Sequence, residues 1–216
     1  MSRVIVCNPA APEEKVIAAV VEALTEGLAV VIPTETQYGL AVRADSDEAP
    51  GTINRIKGRA ESDRSALFVR DIAMAEAFCV LTPISRCLAT KFLPGPLTLV
   101  LPAKENQTAV SRHFLSPHGI GIRLSSSPLV AAVMARVPFP VTATSANRSG
   151  EMTPATVDLI HKSLGEAVGL YLDGGPCRAI TPSTVAAVNG AVRILRHGAI
   201  AEAELRSHLR REGLDG

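Results

Sequence analysis

Residues 4–33, VIVCNPAAPEEKVIAAVVEALTEGLAVVIP, hold two β-branched runs on either side of one amphipathic segment. Val4 to Cys7 reads as a strand. Pro12-Glu13-Glu14 then opens a helix, because proline lacks the N–H that a first turn cannot satisfy and acids complement the positive end of the dipole. Val16, Ile17, Val20, Val21 and Leu24 recur at helical spacing, and Gly27 supplies a stop. Leu28 to Ile32 is apolar without alternation, the pattern of a strand covered on both faces, and ends at Pro33. A strand, a helix and a strand in 30 residues predict an α/β domain.

The same alternation continues outward. A helix is expected after Asp45-Ser46-Asp47-Glu48 and up to about Ile56, a strand over Ala66 to Val69 and a helix over Ile84 to Phe92 that ends at Pro94-Gly95-Pro96. Leu97 to Leu101 and Gly119 to Leu124 read as strands. Ser127-Pro128 reads as an N-cap and first turn of a helix through Ala135. Val141 to Thr144 is a strand feeding the polar loop Ser145 to Thr153. A helix near Thr156 to Leu164, strands at Leu170 to Leu172, Ser183 to Ala187 and Val192 to Leu195, and a helix over Ala201 to Arg211 complete the reading. No sequence period repeats, and the unequal strand spacing predicts a twisted mixed parallel and antiparallel sheet flanked by helices. At 216 residues, one domain over 1–216 is expected, since two small domains would each bury proportionally less.

Composition narrows the function classes. No apolar run approaches the length of a membrane span, and the N-terminus lacks the apolar core of a signal peptide, so a cytoplasmic protein is expected. Net charge is +1, with 22 basic and 21 acidic residues, so no global field draws the chain to nucleic acid and anion binding must be local. Aromatic residues make up 3% and tryptophan is absent, which disfavours a reader that stacks bases. Cys7, Cys79, Cys87 and Cys177 form no C-x-x-C pair and are expected as reduced, packed thiols. His113, His118, His161, His197 and His208 are scattered, so no protein-bound metal is expected.

Neither a P-loop nor a complete dinucleotide-binding glycine motif is present. What remains are polar clusters at the ends of apolar strands, where open α/β sheets place ligands. Pro33-Thr34-Glu35-Thr36-Gln37-Tyr38-Gly39-Leu40 reads as a turn or as a binding loop. Lys57-Gly58-Arg59 reads as solvated charge at a helix end or as a phosphate grip. Thr144-Ser145-Ala146-Asn147-Arg148-Ser149-Gly150 reads as a cap or as a set of hydroxyl and amide groups for ligand oxygens.

Taken in order, these clusters resemble the YrdC-like family of threonylcarbamoyl-adenylate synthases, with its P-T-[DE]-T-x-Y-G-L, K-x-R and S-x-N elements. The similarity runs from about Glu13 to about Ala199 and includes Pro94-Gly95-Pro96-Leu97-Thr98, Gly121-Ile122-Arg123, Pro182-Ser183-Thr184-Val185 and Arg196-His197-Gly198. It implies a YrdC-like fold with a concave basic cleft, in the short form without an added C-terminal domain. It also implies a catalytic and nucleotide-binding set of Lys57, Arg59, Ser145 and Asn147, with Thr34, Thr36, Tyr38, Arg123 and Thr144 toward the substrate and Ser183 and Arg196 toward nucleotide phosphate. Ala60, Gln37 and Leu124-Ser125 depart from the usual pattern, the last replacing a frequent x-Pro after G-I-R.

The implied reaction is that of an L-threonylcarbamoyladenylate synthase, a nucleotidyltransferase. It joins L-threonine, bicarbonate or CO2, and ATP into threonylcarbamoyl-AMP and pyrophosphate, for the threonylcarbamoyladenosine modification of tRNA. Mg²⁺ would travel on ATP. A separate threonylcarbamoyl-transferase and tRNA would be transient partners, no membrane would be involved, and the chain would be a monomer or dimer. The alternatives are an RNA-binding module of the same fold and a paralogue with another carbamoyl acceptor. Because no covalent intermediate is needed, replacing Lys57 or Arg59 is expected to slow the reaction with the fold intact.

Overall fold

The computed structural model describes residues 2–58, 65–177 and 181–214. Ten strands form a sheet: β1 (Arg3–Val6), β2 (Val30–Ile32), β3 (Gly39–Ala41), β4 (Ala66–Phe68), β5 (Leu97–Leu101), β6 (Ile120–Arg123), β7 (Val141–Ser145), β8 (Leu170–Asp173), β9 (Thr184–Asn189) and β10 (Ala191–Arg196). Their spatial order is β1-β8-β2-β3-β7-β4-β6-β5-β9-β10. The β1/β8, β2/β8, β4/β6 and β5/β9 pairs are parallel and the other five antiparallel, so the sheet is mixed, as the sequence predicts.

Seven helices accompany it among the described residues: α1 (Glu14–Thr25), α2 (Ala49–Lys57), α3 (Ile72–Glu76), α4 (Pro83–Phe92), α5 (Pro128–Met134), α6 (Val157–Leu164) and α7 (Glu202–Arg211). α1 begins at Glu14, so Pro12 precedes the helix rather than entering its first turn. Gly27 at φ 79° ends it as expected, with Leu28 N–H returning to the Ala23 carbonyl at 2.9 Å. Ser127 occupies the N-cap of α5, yet its hydroxyl makes no capping bond. Side-chain caps form instead at α3, where Asp71 accepts from Met74 N–H, and at α4, where Thr82 and Ser85 exchange side-chain and backbone bonds. β3 and α3, at three and five residues, are too short for periodicity to reveal.

Alternation along the strands divides the interior in two. Val31 and Leu40 face one cluster with Leu67, Leu97, Leu99, Leu101, Ile120 and Ile122, under α2, α4, α6 and α7. Val30, Ile32, Phe68, Val141, Leu170 and Leu172 face the other, under α1 and α5. β2 is thus buried on both faces, which explains its unbroken apolar run. β5, β6, β9 and β10 contribute no described residue to the second cluster. Over those strands the second face is left for a cavity.

Candidate functional site

A cavity of about 350 Å³ sits on that face, a volume within the range of small-molecule sites. Its floor is set by period 2. Ala66 and Phe68 of β4, Thr98 and Val100 of β5, Gly121 and Arg123 of β6, and Ala143 and Ser145 of β7 point into it, while their neighbours Leu67, Leu99 and Ile122 point into the core. Gly121 keeps the floor low: a Cβ there would stand 3.1 Å from Ala66 Cβ.

β10 needs a device to join this face. Val192 and Ile194 pack on the core cluster, and strict alternation would send Arg196 the same way. A bulge pairs Ile194 with Ala186 and then Arg196 with Val185, so Leu195 is the extra residue and Arg196 turns into the cavity. There Arg196 Nε and Nη2 donate to the Ser183 carbonyl at 3.2 and 2.9 Å, and Nη2 also donates to Ser183 Oγ at 3.0 Å. Ser183 Oγ in turn meets Thr98 Oγ1 at 2.9 Å. Burial, and then the charge of Arg123, push the Arg196 guanidinium below its ordinary value. Guanidinium nonetheless remains protonated in proteins, so two positive charges share one small space, an arrangement that an entering anion relieves.

Of the residues the sequence singles out, Thr34, Thr36, Tyr38, Arg123, Thr144, Ser145, Ser183 and Arg196 line this cavity together. Arg59 lies outside the described residues. Lys57 and Asn147 meet Ser145 but sit behind it, 4% and 7% exposed. The Lys57 ammonium donates to the carbonyls of Ser145 and of Asn147, the latter at 2.8 Å, and to Asn147 Oδ1 at 3.1 Å. Its own carbonyl accepts from Ser149 N–H at 2.9 Å. Asn147 Nδ2 donates to the Arg148 and Glu151 carbonyls, at 2.8 and 2.6 Å, and Asn147 Oδ1 accepts from Ser145 Oγ. The Lys57 ammonium thus holds the 145–149 loop from behind the lining. Burial brings its charge close beneath that loop without placing it on the lining.

The Thr34 to Tyr38 segment serves as both turn and lining. Thr34 Oγ1 donates to the Gln37 carbonyl at 2.6 Å and accepts from Thr36 and Gln37 N–H, leaving Thr36 Oγ1 to accept from Arg123 Nη2 at 2.8 Å. Tyr38 is fully buried; its hydroxyl donates to the Gly175 carbonyl at 2.7 Å and accepts from Gly174 N–H at 3.0 Å. Burial pushes it up to about 12, so it is a fixed neutral brace rather than a base. Tyr38→Phe is expected to lower unfolding stability by about 1–2 kcal/mol, because a partly buried carbonyl and N–H lose their partner. Urea denaturation would check this.

Thr98, Phe114, Ser116, His118 and Gly121 line the cavity too, although the sequence gives them no individual role. Thr98 and Gly121 stand inside motifs that carry the resemblance, so a signal was present for those two. His118 and Ser116 come from a polar loop with no distinguishing pattern.

A family model named Sua5_yciO_yrdC, described as telomere recombination, matches residues 22–198. The chain belongs to the Sua5/YciO/YrdC family. Two relatives of this Sua5/YciO/YrdC chain are named threonylcarbamoyl-AMP synthase. One, from Vibrio vulnificus, is 32% identical over 160 residues, covering 72% of this chain and 84% of that protein. The other, from Bacillus subtilis, is 30% identical over 184 residues, covering 84% of this chain and 53% of that protein. The structure of Pyrococcus abyssi Sua5 complexed with L-threonine superimposes with a TM-score of 0.88 at 27% identity, covering 96% of this chain and 61% of that one. The chain thus spans 53% of the Bacillus subtilis relative and 61% of the Pyrococcus abyssi chain. No helix among the described residues is long and apolar enough to cross a membrane.

Proposed function

We propose that this enzyme is an L-threonylcarbamoyladenylate synthase acting as a nucleotidyltransferase on ATP, with L-threonine and bicarbonate or CO2 as co-substrates. The observation that carries the reading is the pair Arg123 and Arg196 facing one hydroxyl-lined cavity, each guanidinium fixed along one edge by the protein. ATP, the carbamate to be activated and the threonine carboxylate are all anionic. Two anions meet slowly in water because they repel and must lose motional freedom, and a preorganised cationic site removes both obstacles.

The threonine amine and bicarbonate first form a carbamate with loss of water. A carbamate oxygen then bonds to the α-phosphorus of ATP as the bond from that phosphorus to the β-phosphate oxygen breaks, and pyrophosphate leaves. Arg123 is proposed to hold the substrate carboxylate, and Arg196 and Ser183 the phosphates. The Ser145 hydroxyl would orient the adenylate, while Asn147 and Lys57 shape its loop and the Lys57 ammonium supplies positive charge from beneath. Arg59 completes the proposed set. Mg²⁺ is proposed to arrive on the triphosphate, coordinated by phosphate oxygens and water; Glu35, the carboxylate beside the lining, is engaged by Arg123. The adenylate would pass to a separate transferase that modifies tRNA, from a cytoplasmic enzyme.

Pyrophosphate release with ATP, Mg²⁺ and bicarbonate, with each amino acid supplied in turn, tests the reading. Release that depends on threonine is expected. Equal release with several amino acids would favour a paralogue with another acceptor. RNA binding with a steep salt dependence and no pyrophosphate would favour a binding module.

A further inference from the structure

A carboxylate beside an anion cavity works against binding unless it does something else. Glu35 Oε1 accepts from Arg123 Nη2 at 2.8 Å, and Glu35 Oε2 accepts from Ser125 Oγ. Ser125 is itself fixed: its oxygen accepts from Ser127 N–H at 3.2 Å, and its single proton goes to Glu35. Ser127 N–H thus fixes Ser125, and Ser125 and Arg123 both donate into the Glu35 carboxylate. Arg123 is buried, with Phe68 beneath its guanidinium at 5.7 Å, and its hydrogen bonds run through Nη2, to Glu35 and to Thr36. Its buried Nε has no protein partner.

We propose that Glu35, held by Ser125, is a positioning residue. It holds the Nη2 corner of the Arg123 guanidinium inside the protein and so fixes the orientation in which Arg123 meets the carboxylate of the amino-acid substrate. It also offsets part of the repulsion between Arg123 and Arg196 before any anion enters. Serine at 125 gives this chain its means of holding the carboxylate. The substrate named here rests on the synthase reading above, but the orientation of Arg123 does not.

The test compares wild type with E35A, E35Q and S125A. In E35A, KM for L-threonine rises about tenfold, the effect of losing one orienting charge-assisted contact, while KM for ATP stays within about twofold. E35Q, which keeps an oxygen for Nη2, recovers part of the loss. Independently of activity, ¹⁵N relaxation of the Arg123 Nε–H reports a rigid group in wild type and a mobile one in E35A, with an order parameter falling below about 0.6. If E35A does not fold, the same relaxation measurement on S125A decides. An Arg123 Nε–H as rigid in the variants as in wild type overturns the proposal, as does an unchanged KM for threonine in an active E35A. Wild type that releases no pyrophosphate with threonine sinks the synthase reading instead, and the relaxation result still settles the role of Glu35.

Discussion

Lys57→Ala is expected to damage both the fold and the reaction. Its ammonium satisfies the carbonyls of Ser145 and Asn147 and the amide oxygen of Asn147 in a nearly water-free setting. Alanine would leave three acceptors without that donor. At roughly 1 kcal/mol for each lost bond, stability should fall by about 3 kcal/mol. For a chain of this size that corresponds to a melting temperature lower by roughly 10 °C, readable by calorimetry. With the 145–149 loop loosened and a buried positive charge gone, pyrophosphate formation should drop about 10²–10³-fold. The sequence alone suggests a kinetic loss with an intact fold; the buried amine requires both losses. A variant as stable as wild type would show that these contacts are incidental.

Arg196→Ala should separate the two effects. Among the described residues its guanidinium hydrogen bonds only to Ser183, whose hydroxyl keeps Thr98 as a partner, and removing one of two facing charges relieves repulsion. Stability should therefore change little, within about 1 kcal/mol. Turnover should still fall about 10²–10³-fold, since one preorganised donor to the transferring phosphate is lost. Arg196→Lys should rescue poorly, because a point charge cannot keep the two-nitrogen grip on Ser183 and also face a phosphate. Full activity in Arg196→Ala would remove this arginine from the site.

These two cations illustrate what was legible in the sequence. The alternation of elements was, because strand runs such as Leu97 to Leu101 and helical spacing in α1 are local properties. The resemblance brought Arg196 to notice, but nothing in Val192 to Arg196 announces the bulge that turns it toward the cavity; that comes from pairing with β9. Lys57 ends a polar helix and reads as a solvated terminal charge, since its burial depends on a loop 88 residues away in sequence. Ser127 and Pro128 have the right types for a cap, yet Ser125 takes the Ser127 N–H and the Ser127 hydroxyl points elsewhere. Local pattern thus located the elements, while side-chain roles depended on contacts between distant segments.

The central claim is that Arg123 and Arg196 bring a nucleotide and a carbamoylated amino acid into one cavity for adenylation. The most direct measurement incubates the protein with ATP, Mg²⁺, L-threonine and ¹³C-bicarbonate and analyses the products at once by mass spectrometry. The account predicts an adenylate that holds threonine and one ¹³C, formed with one pyrophosphate and lost in Arg196→Ala. An adenylate without the label, or the labelled product formed equally well by Arg196→Ala, would contradict it.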